Sequence, residues 1–166
     1  MGDLLIRNAR TQDIEQITAI YNQGIQDRIA TLEENEKTTA DMEEWFVNRG
    51  ERYAVLVAEM EGQIVGWVFL NPYSHRCAYN GVADLSIYID REQRGKGIGK
   101  RLLQKIEEVA IQNDFYKIVL FTFPFNVLGQ GLYRSMGYRE VGVFKNQGKL
   151  DGKFVDVMVM EKNVDL

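Results

Sequence analysis

Between Arg91 and Arg101 the chain reads Arg-Glu-Gln-Arg-Gly-Lys-Gly-Ile-Gly-Lys-Arg, with glycines at every second position among five basic residues and one acid. Glycines at a turn let backbone approach a ligand closely. A helix starting there aims its first N–H groups and the positive end of its dipole at that ligand. The segment therefore suits a phosphate, although a solvated tight turn with a chance run of charge reads the same and the surroundings must decide. Two nucleotide patterns do not fit. Lys100-Arg101 follows Gly99 where a P-loop needs Lys and then a magnesium-binding hydroxyl, and Gly95, Gly97 and Gly99 lack the Gly-x-Gly-x-x-Gly spacing of a dinucleotide fold.

Just upstream, Val82–Ile89 alternates, with Asp84, Ser86 and Tyr88 on one face and Leu85, Ile87 and Ile89 on the other. That places one carboxylate among hydroxyls beside the glycine turn. His75 and Cys77 flank Arg76, but the spacing shows no partner for a Cys–His pair, and both are expected to be non-catalytic. Trp45, Trp67 and the aromatics of 121–125 read most simply as core or pocket wall.

The elements that must carry these residues follow from periodicity. Residues 4–9 read as a strand, and a helical repeat through Ile14, Ile17, Ile20 and Ile25 follows, with Thr11 and Asp13 as candidate caps. Residues 30–36 are expected to be loop, and Lys37-Thr38-Thr39-Ala40-Asp41 opens a second short helix carrying Met42, Trp45 and Phe46. The runs 53–60 and 64–70 form a hairpin around Glu61-Gly62-Gln63, and the second of them, nearly all apolar, is expected to be buried on both faces. Residues 71–81 read as loop before the 82–89 strand. The glycine turn then leads into a helix with Ile98, Leu102, Leu103, Ile106 and Ala110 on one stripe, then an apolar strand over 118–121. This strand, helix and strand imply a parallel pair. A last helix near 126–136 ends at Gly137, and strands near 138–144 and 154–160 complete a mixed sheet.

The 166 residues suffice for one core, not two. A net charge of −4 gives no general attraction to nucleic acid or anionic membrane, so any anion site must be local. One cysteine cannot form an internal disulfide and one histidine cannot build a multi-histidine metal site, so no metal is expected and the composition suits a reducing compartment. No run reaches the ~18–20 apolar residues of a membrane span, and the start shows no signal-peptide pattern, so the cytoplasm is the expected location. Met1-Gly2 invites a myristoylation reading, but Ile6 stands where that signal wants Ser or Thr.

Arg94-Gly95-Lys96-Gly97-Ile98-Gly99 resembles the Gln/Arg-x-x-Gly-x-Gly/Ala signature of the GCN5-related N-acetyltransferases (GNAT), and Asn126-x-x-Gly129-x-x-Leu132-Tyr133-x-x-Met136-Gly137-Tyr138 resembles their second signature. Ile20-Tyr21-Asn22, Ala30-Thr31-Leu32-Glu33, Arg76-x-Ala78-Tyr79, Ser86-Ile87-Tyr88-Ile89 and Asp156-Val157 are similar to the phosphinothricin acetyltransferase-like branch. The resemblance covers essentially the whole chain. It implies a single acetyltransferase domain over 1–166 with an α/β (α+β) fold. Its sheet would be central, mixed and mostly antiparallel, of about seven strands flanked by helices, with the parallel β-α-β unit at an acetyl-CoA site.

The same resemblance assigns roles. Arg94, Gly95, Lys96, Gly97, Ile98, Gly99 and Lys100 would hold the pyrophosphate of acetyl-CoA. Backbone groups of Ile87, Tyr88 and Ile89 would hold the pantetheine amide and polarise the thioester if the sheet splays there. Asn126 would bond the pantetheine arm, cap the last helix, or do both. Asp84 stands where the branch usually has a glutamate proposed as general base, one methylene longer, and needs burial or a relaying water to act on a cationic amine. Tyr133 matches the tyrosine that protonates the departing thiolate, where the branch often has histidine. Arg76 and Tyr79, with Thr31 and Glu33 on the opposite wall, resemble acceptor-binding positions. Three readings remain open: a small-molecule amine acetyltransferase, a protein, peptide or polyamine acetyltransferase, and a CoA-binding sensor without turnover. The branch resemblance also implies a homodimer.

Overall fold

The computed structural model describes residues 3–166, so the Met1-Gly2 start and its acylation reading lie outside the described residues. Seven strands form one sheet: β1 (Leu4–Asn8), β2 (Val55–Met60), β3 (Gln63–Pro72), β4 (Val82–Ile89), β5 (Lys117–Thr122), β6 (Arg139–Leu150) and β7 (Lys153–Asn163). Their spatial order is β1-β2-β3-β4-β5-β7-β6, with β4 and β5 parallel and every other pair antiparallel. Four α-helices flank it: α1 (Ile14–Asp27), α2 (Thr39–Val47), α3 (Ile98–Gln112) and α4 (Val127–Ser135).

Alternation along β3 and β4 decides what each face buries. Trp67 lies opposite Tyr88, Phe69 opposite Ser86 and Asn71 opposite Asp84, so these six share a face. Trp67, Phe69 and Tyr88 pack there with Ile14, Ile17 and Ile20 of α1 and Met42 of α2. Val68, Leu70 and Leu85 point the other way, against Leu102, Leu103 and Ile106 on the stripe of α3. β3, covered on both sides, is buried from Ile64 to Leu70.

Local chemistry sets the boundaries. Thr38 Oγ1 accepts the Asp41 N–H at 3.0 Å and the Asp41 carboxylate accepts the Thr38 N–H at 3.1 Å, a reciprocal cap that starts α2. The expected cap at Thr11 is displaced: Thr11–Asp13 forms a 3-10 turn after Arg10. The Asp13 carboxylate accepts the Arg10 N–H at 2.7 Å and pairs with Arg7 at 2.7 Å, and these bonds hold it below the usual carboxylate range. The two-residue turns Glu61-Gly62 and Asp151-Gly152 both take positive φ, as tight hairpins require.

The main departure from the sequence reading is β6, which runs to Leu150 rather than stopping near Phe144, with β7 correspondingly longer. The polar stretch 145–149 carries no strand signal of its own. It is held by pairing with β7 across an irregularity in which 145–147 stand opposite Asp156 alone. Asp156 fastens the bulge, accepting the Asn146 N–H at 2.8 Å and the Lys145 ammonium at 3.3 Å.

Candidate active site

β4 and β5 pair only from Val82 with Lys117 to Leu85 with Leu120. Beyond that, Ser86–Ile89 bond to β3 alone, while Phe121 and Thr122 stay with β7. The sheet thus opens between the parallel strands β4 and β5, leaving one edge of the 86–89 backbone without a strand partner among the described residues. This is the splay on which the reading of Ile87, Tyr88 and Ile89 depended.

The glycine turn closes one end of the gap. Gly95 and Gly97 have φ of +79° and +80°, and a Cβ built on either meets nothing within 4 Å, so open space lies over the turn. Gly97 caps α3, whose first backbone bond runs from the Arg101 N–H to the Gly97 carbonyl at 3.2 Å. The N–H groups of Ile98, Gly99 and Lys100 precede that bond, which is the geometry that accepts an oxyanion. Gly99 serves packing: a Cβ there would stand 2.8 Å from Leu132 Cδ2, so its absence lets α3 approach α4. The turn's cations are partly engaged, Arg91 and Arg94 both with Asp27 at 2.9 and 3.1 Å, and Lys96 with Gln93 at 2.9 Å. Lys100 is exposed.

On the far side of the gap, the Asn126 side chain accepts the Gly129 N–H at 3.1 Å and donates to Thr122 Oγ1 at 3.2 Å, so its capping role is realised. Two helical turns on, the half-buried Tyr133 stands edge-on to Tyr138 with centroids 6.1 Å apart. Burial pushes its phenol up to about 12.

A cavity of about 330 Å³ opens beside the gap. Asp84, Ser86 and Tyr88 line it from β4, Phe121 to Phe123 from the end of β5, Ala30 to Leu32 from the α1–α2 loop, and Gln147 from the β6 bulge. Burial pushes the Asp84 carboxyl up to about 7, against a backbone hydrogen bond from Leu85 that works to lower it. Burial likewise raises the phenols of Tyr21 and Tyr88, with a hydrogen bond to Thr31 opposing it in both. A larger groove of about 500 Å³ lies between the ends of α2 and α3, and none of these residues lines it.

The structure therefore brings Asp84 and Thr31 to one cavity. It does not bring three other expected acceptor residues there. Glu33 is exposed and faces Lys37 at 3.5 Å. Arg76 and Tyr79 sit on the exposed loop before β4, Tyr79 edge-on to Tyr73, and neither lines the cavity. His75 and Cys77 are exposed on the same loop. Gln147 was missed in the sequence because it lies in the polar part of β6. The Asp151-Gly152 dipeptide was the available signal that the hairpin extends that far.

Comparison with known proteins bears on the same surfaces. The acetyltransferase (GNAT) family model matches residues 15–138. The L-methionine sulfoximine/L-methionine sulfone acetyltransferase of Pseudomonas aeruginosa PAO1 is 30% identical over 162 residues, 96% of this chain and 94% of that one. A phosphinothricin acetyltransferase from Sinorhizobium meliloti, solved with acetyl-CoA, superposes with a TM-score of 0.91 at 28% identity, covering 98% of this chain and 89% of that one. A ribosomal-protein-alanine N-acetyltransferase from Brucella melitensis superposes with a TM-score of 0.92 at 31% identity, covering 96% and 99%. Because the matched stretch takes in the glycine turn, the open edge of β4 and α4 together, the chain belongs to the acetyltransferase (GNAT) family, an enzyme that takes its acetyl group from acetyl-CoA.

Proposed function

We propose that this acetyltransferase modifies the primary amine of a small amino-acid-like compound of the phosphinothricin or methionine sulfoximine type. The observation that carries the reading is Asp84, a carboxylate with a pKa of about 7 in a cavity of small-molecule size beside the open edge of β4. The name of the Pseudomonas relative supports the substrate class.

Acetyl-CoA supplies an activated acetyl thioester, its pyrophosphate fitting the N–H groups of 98–100 over Gly95 and Gly97. Unpaired backbone groups of Ile87 and Ile89, on either side of Tyr88, whose own backbone faces Trp67 of β3, bind the pantetheine arm and polarise the carbonyl, with Asn126 at the other wall. Arg94 and Lys96 add charge once drawn from Asp27 and Gln93. Asp84 takes a proton from the acceptor's ammonium, directly or through water. The neutral amine attacks the thioester carbon, the C–N bond forms as the C–S bond breaks, Tyr133 gives its proton to the departing thiolate, and the second proton shed by the nitrogen as the amide forms returns to the Tyr133 phenolate through water. A phenol whose pKa lies near 12 is fully protonated at neutral pH, so the donor is always loaded.

In this reading Arg76 and Tyr79 reach the acceptor from the exposed loop, the guanidinium taking its acid group. Arg76→Leu then raises the acceptor KM and spares acetyl-CoA binding. A screen of amines following release of free CoA thiol tests the substrate class. Acetylation of phosphinothricin or methionine sulfoximine upholds it. Failure of both, with a polyamine or peptide N-terminus acetylated and Arg76→Leu neutral, refutes it. One observation favours that second reading: no Lys or Arg lines the cavity, so an amine without an acid group also suits it. The Brucella neighbour's description is in keeping with a peptide acceptor.

The working form in this reading is a cytoplasmic homodimer joined through the late strands. No helix among the described residues is long and apolar enough to cross a membrane.

A further inference from the structure

Two stretches distant in sequence meet at the outer wall of the acceptor cavity. Leu32 of the α1–α2 loop lies over Gly148 of β6, where a Cβ would stand 3.0 Å from Leu32 Cδ2. Next to them, Thr31 and Gln147 face the cavity from opposite sides of the seam. The loop has no regular structure of its own from Arg28 to Thr38, so something else must fix its path.

Arg28 does so from the end of α1. It takes φ of +58°, turning the chain out of the helix, and its Nη1 donates to the carbonyls of Ile25, Glu33 and Glu34 at 3.1, 3.4 and 3.0 Å. The rest of the guanidinium grips Asp151 at the β6–β7 turn, Nε to Oδ2 at 3.0 Å and Nη2 to Oδ1 at 3.3 Å. Glu34 answers from the loop, its carboxylate accepting the Asp151 N–H at 2.5 Å. An exposed Arg–Asp pair alone contributes little. Here one side chain closes the loop on itself and ties it to a hairpin 123 residues away.

We propose that Arg28 is a positioning residue, whose latch to Asp151 holds the α1–α2 loop as the acceptor-side wall and so sets acceptor binding independently of acetyl-CoA binding. This rests on the cavity being the acceptor site, as argued above. The latch touches neither the glycine turn nor Tyr133, so loosening it leaves the cofactor side and the proton donor in place. It frees Thr31 and Leu32 to move away from Asp84.

The test uses Arg28→Asn and Asp151→Asn, because Asn tolerates the left-handed conformation that both positions require, and any loss is then not backbone strain. Hydrogen exchange in the intact protein, without acceptor, is expected to quicken at 29–34 and 150–152 in either variant and to stay unchanged at 97–103. With whichever amine the acceptor screen finds turned over, KM is expected to rise about 5–10-fold, with kcat and the acetyl-CoA Kd within about twofold. The double variant is expected to match the worse single one, since both break one latch. Unchanged exchange at 29–34 overturns the latch. Unchanged KM, or a KM rise matched by a loss of acetyl-CoA affinity, overturns its role in acceptor binding. If no amine is turned over, the acceptor reading falls and takes that role with it, while exchange still decides whether Arg28 holds the loop.

Discussion

Asp84 must be ionised to take a proton, yet the cavity that lets it meet an amine also disfavours its charge. A pKa of about 7 balances these demands, and it has two consequences of opposite sign. For catalysis, kcat/KM is expected to rise with pH through a midpoint near 7, and Asp84→Asn is expected to lower kcat and flatten that acidic limb. For folding, the unfolded carboxyl ionises near 3.8 and the folded one near 7, so between these values the folded state holds more protons and stability falls as pH rises. Asp84→Asn should therefore be more stable than wild type at pH 8, by up to about 4 kcal/mol in urea melts, and most of the gain should be gone near pH 4. A midpoint at or below pH 5 in the rate profile would return Asp84 to an ordinary solvated acid. Tyr133→Phe keeps the edge-on contact with Tyr138 and removes only the proton, so kcat is expected to fall by about 10²-fold with little change in KM. Wild-type turnover in that variant would make Tyr133 a packing residue. The identities of both groups were legible in the sequence, Asp84 by strand alternation and Tyr133 by its motif. Their proton affinities were not, because burial of Asp84 depends on loop 30–32 and the end of β5, which no local pattern brings together.

Elements explain why the glycine turn works where it stands. β4 and β5 part after four paired residues, and the turn, leaving the open end of β4, delivers the N-terminus of α3 to the gap. Gly97→Val is expected to abolish measurable acetyl-CoA binding in calorimetry, since a β-branched residue at φ +80° costs about 1–2 kcal/mol of strain and fills space the phosphate needs. Circular dichroism controls for folding, and unchanged affinity in a folded variant would show that the phosphates bind elsewhere. The period-2 and period-3.6 patterns placed β4 and α3 within a residue or two, because each has a strong apolar face to bury, whereas α4, none of whose residues is fully buried, was bounded by its motif and the stop at Gly137. β6 was cut short because Lys145, Asn146, Gln147 and Lys149 are polar, and their strand conformation comes from β7 and the Asp156 clamp. Part of the cavity wall went with them.

At the scale of the whole molecule, the two ends of the sheet differ. β1 is a five-residue edge, whereas β6 is a twelve-residue edge carrying exposed Val141, Val143 and Phe144, with exposed Phe154 on β7 nearer the turn, opposite Lys149. A long apolar edge strand is a template for pairing, and proteins that stay monomeric usually break it with charges, proline or a cover. In β6 the ladder to β7 is broken twice, by an extra residue at Val141 and by 145–147, so the regular stretch left open along the edge is 142–144. A second copy laid on this edge would bury the valines and phenylalanines while keeping the open side of the β4–β5 gap free for acetyl-CoA. Sedimentation equilibrium is therefore expected to give twice the 19.1 kDa chain mass, and Val141→Lys with Phe154→Lys is expected to shift that toward the monomer without loss of secondary structure. A single 19.1 kDa species across a concentration series would show that β6 manages its edge alone. Partial dissociation in the lysine variant, with turnover per chain preserved, would show in addition that each cavity is complete within one chain.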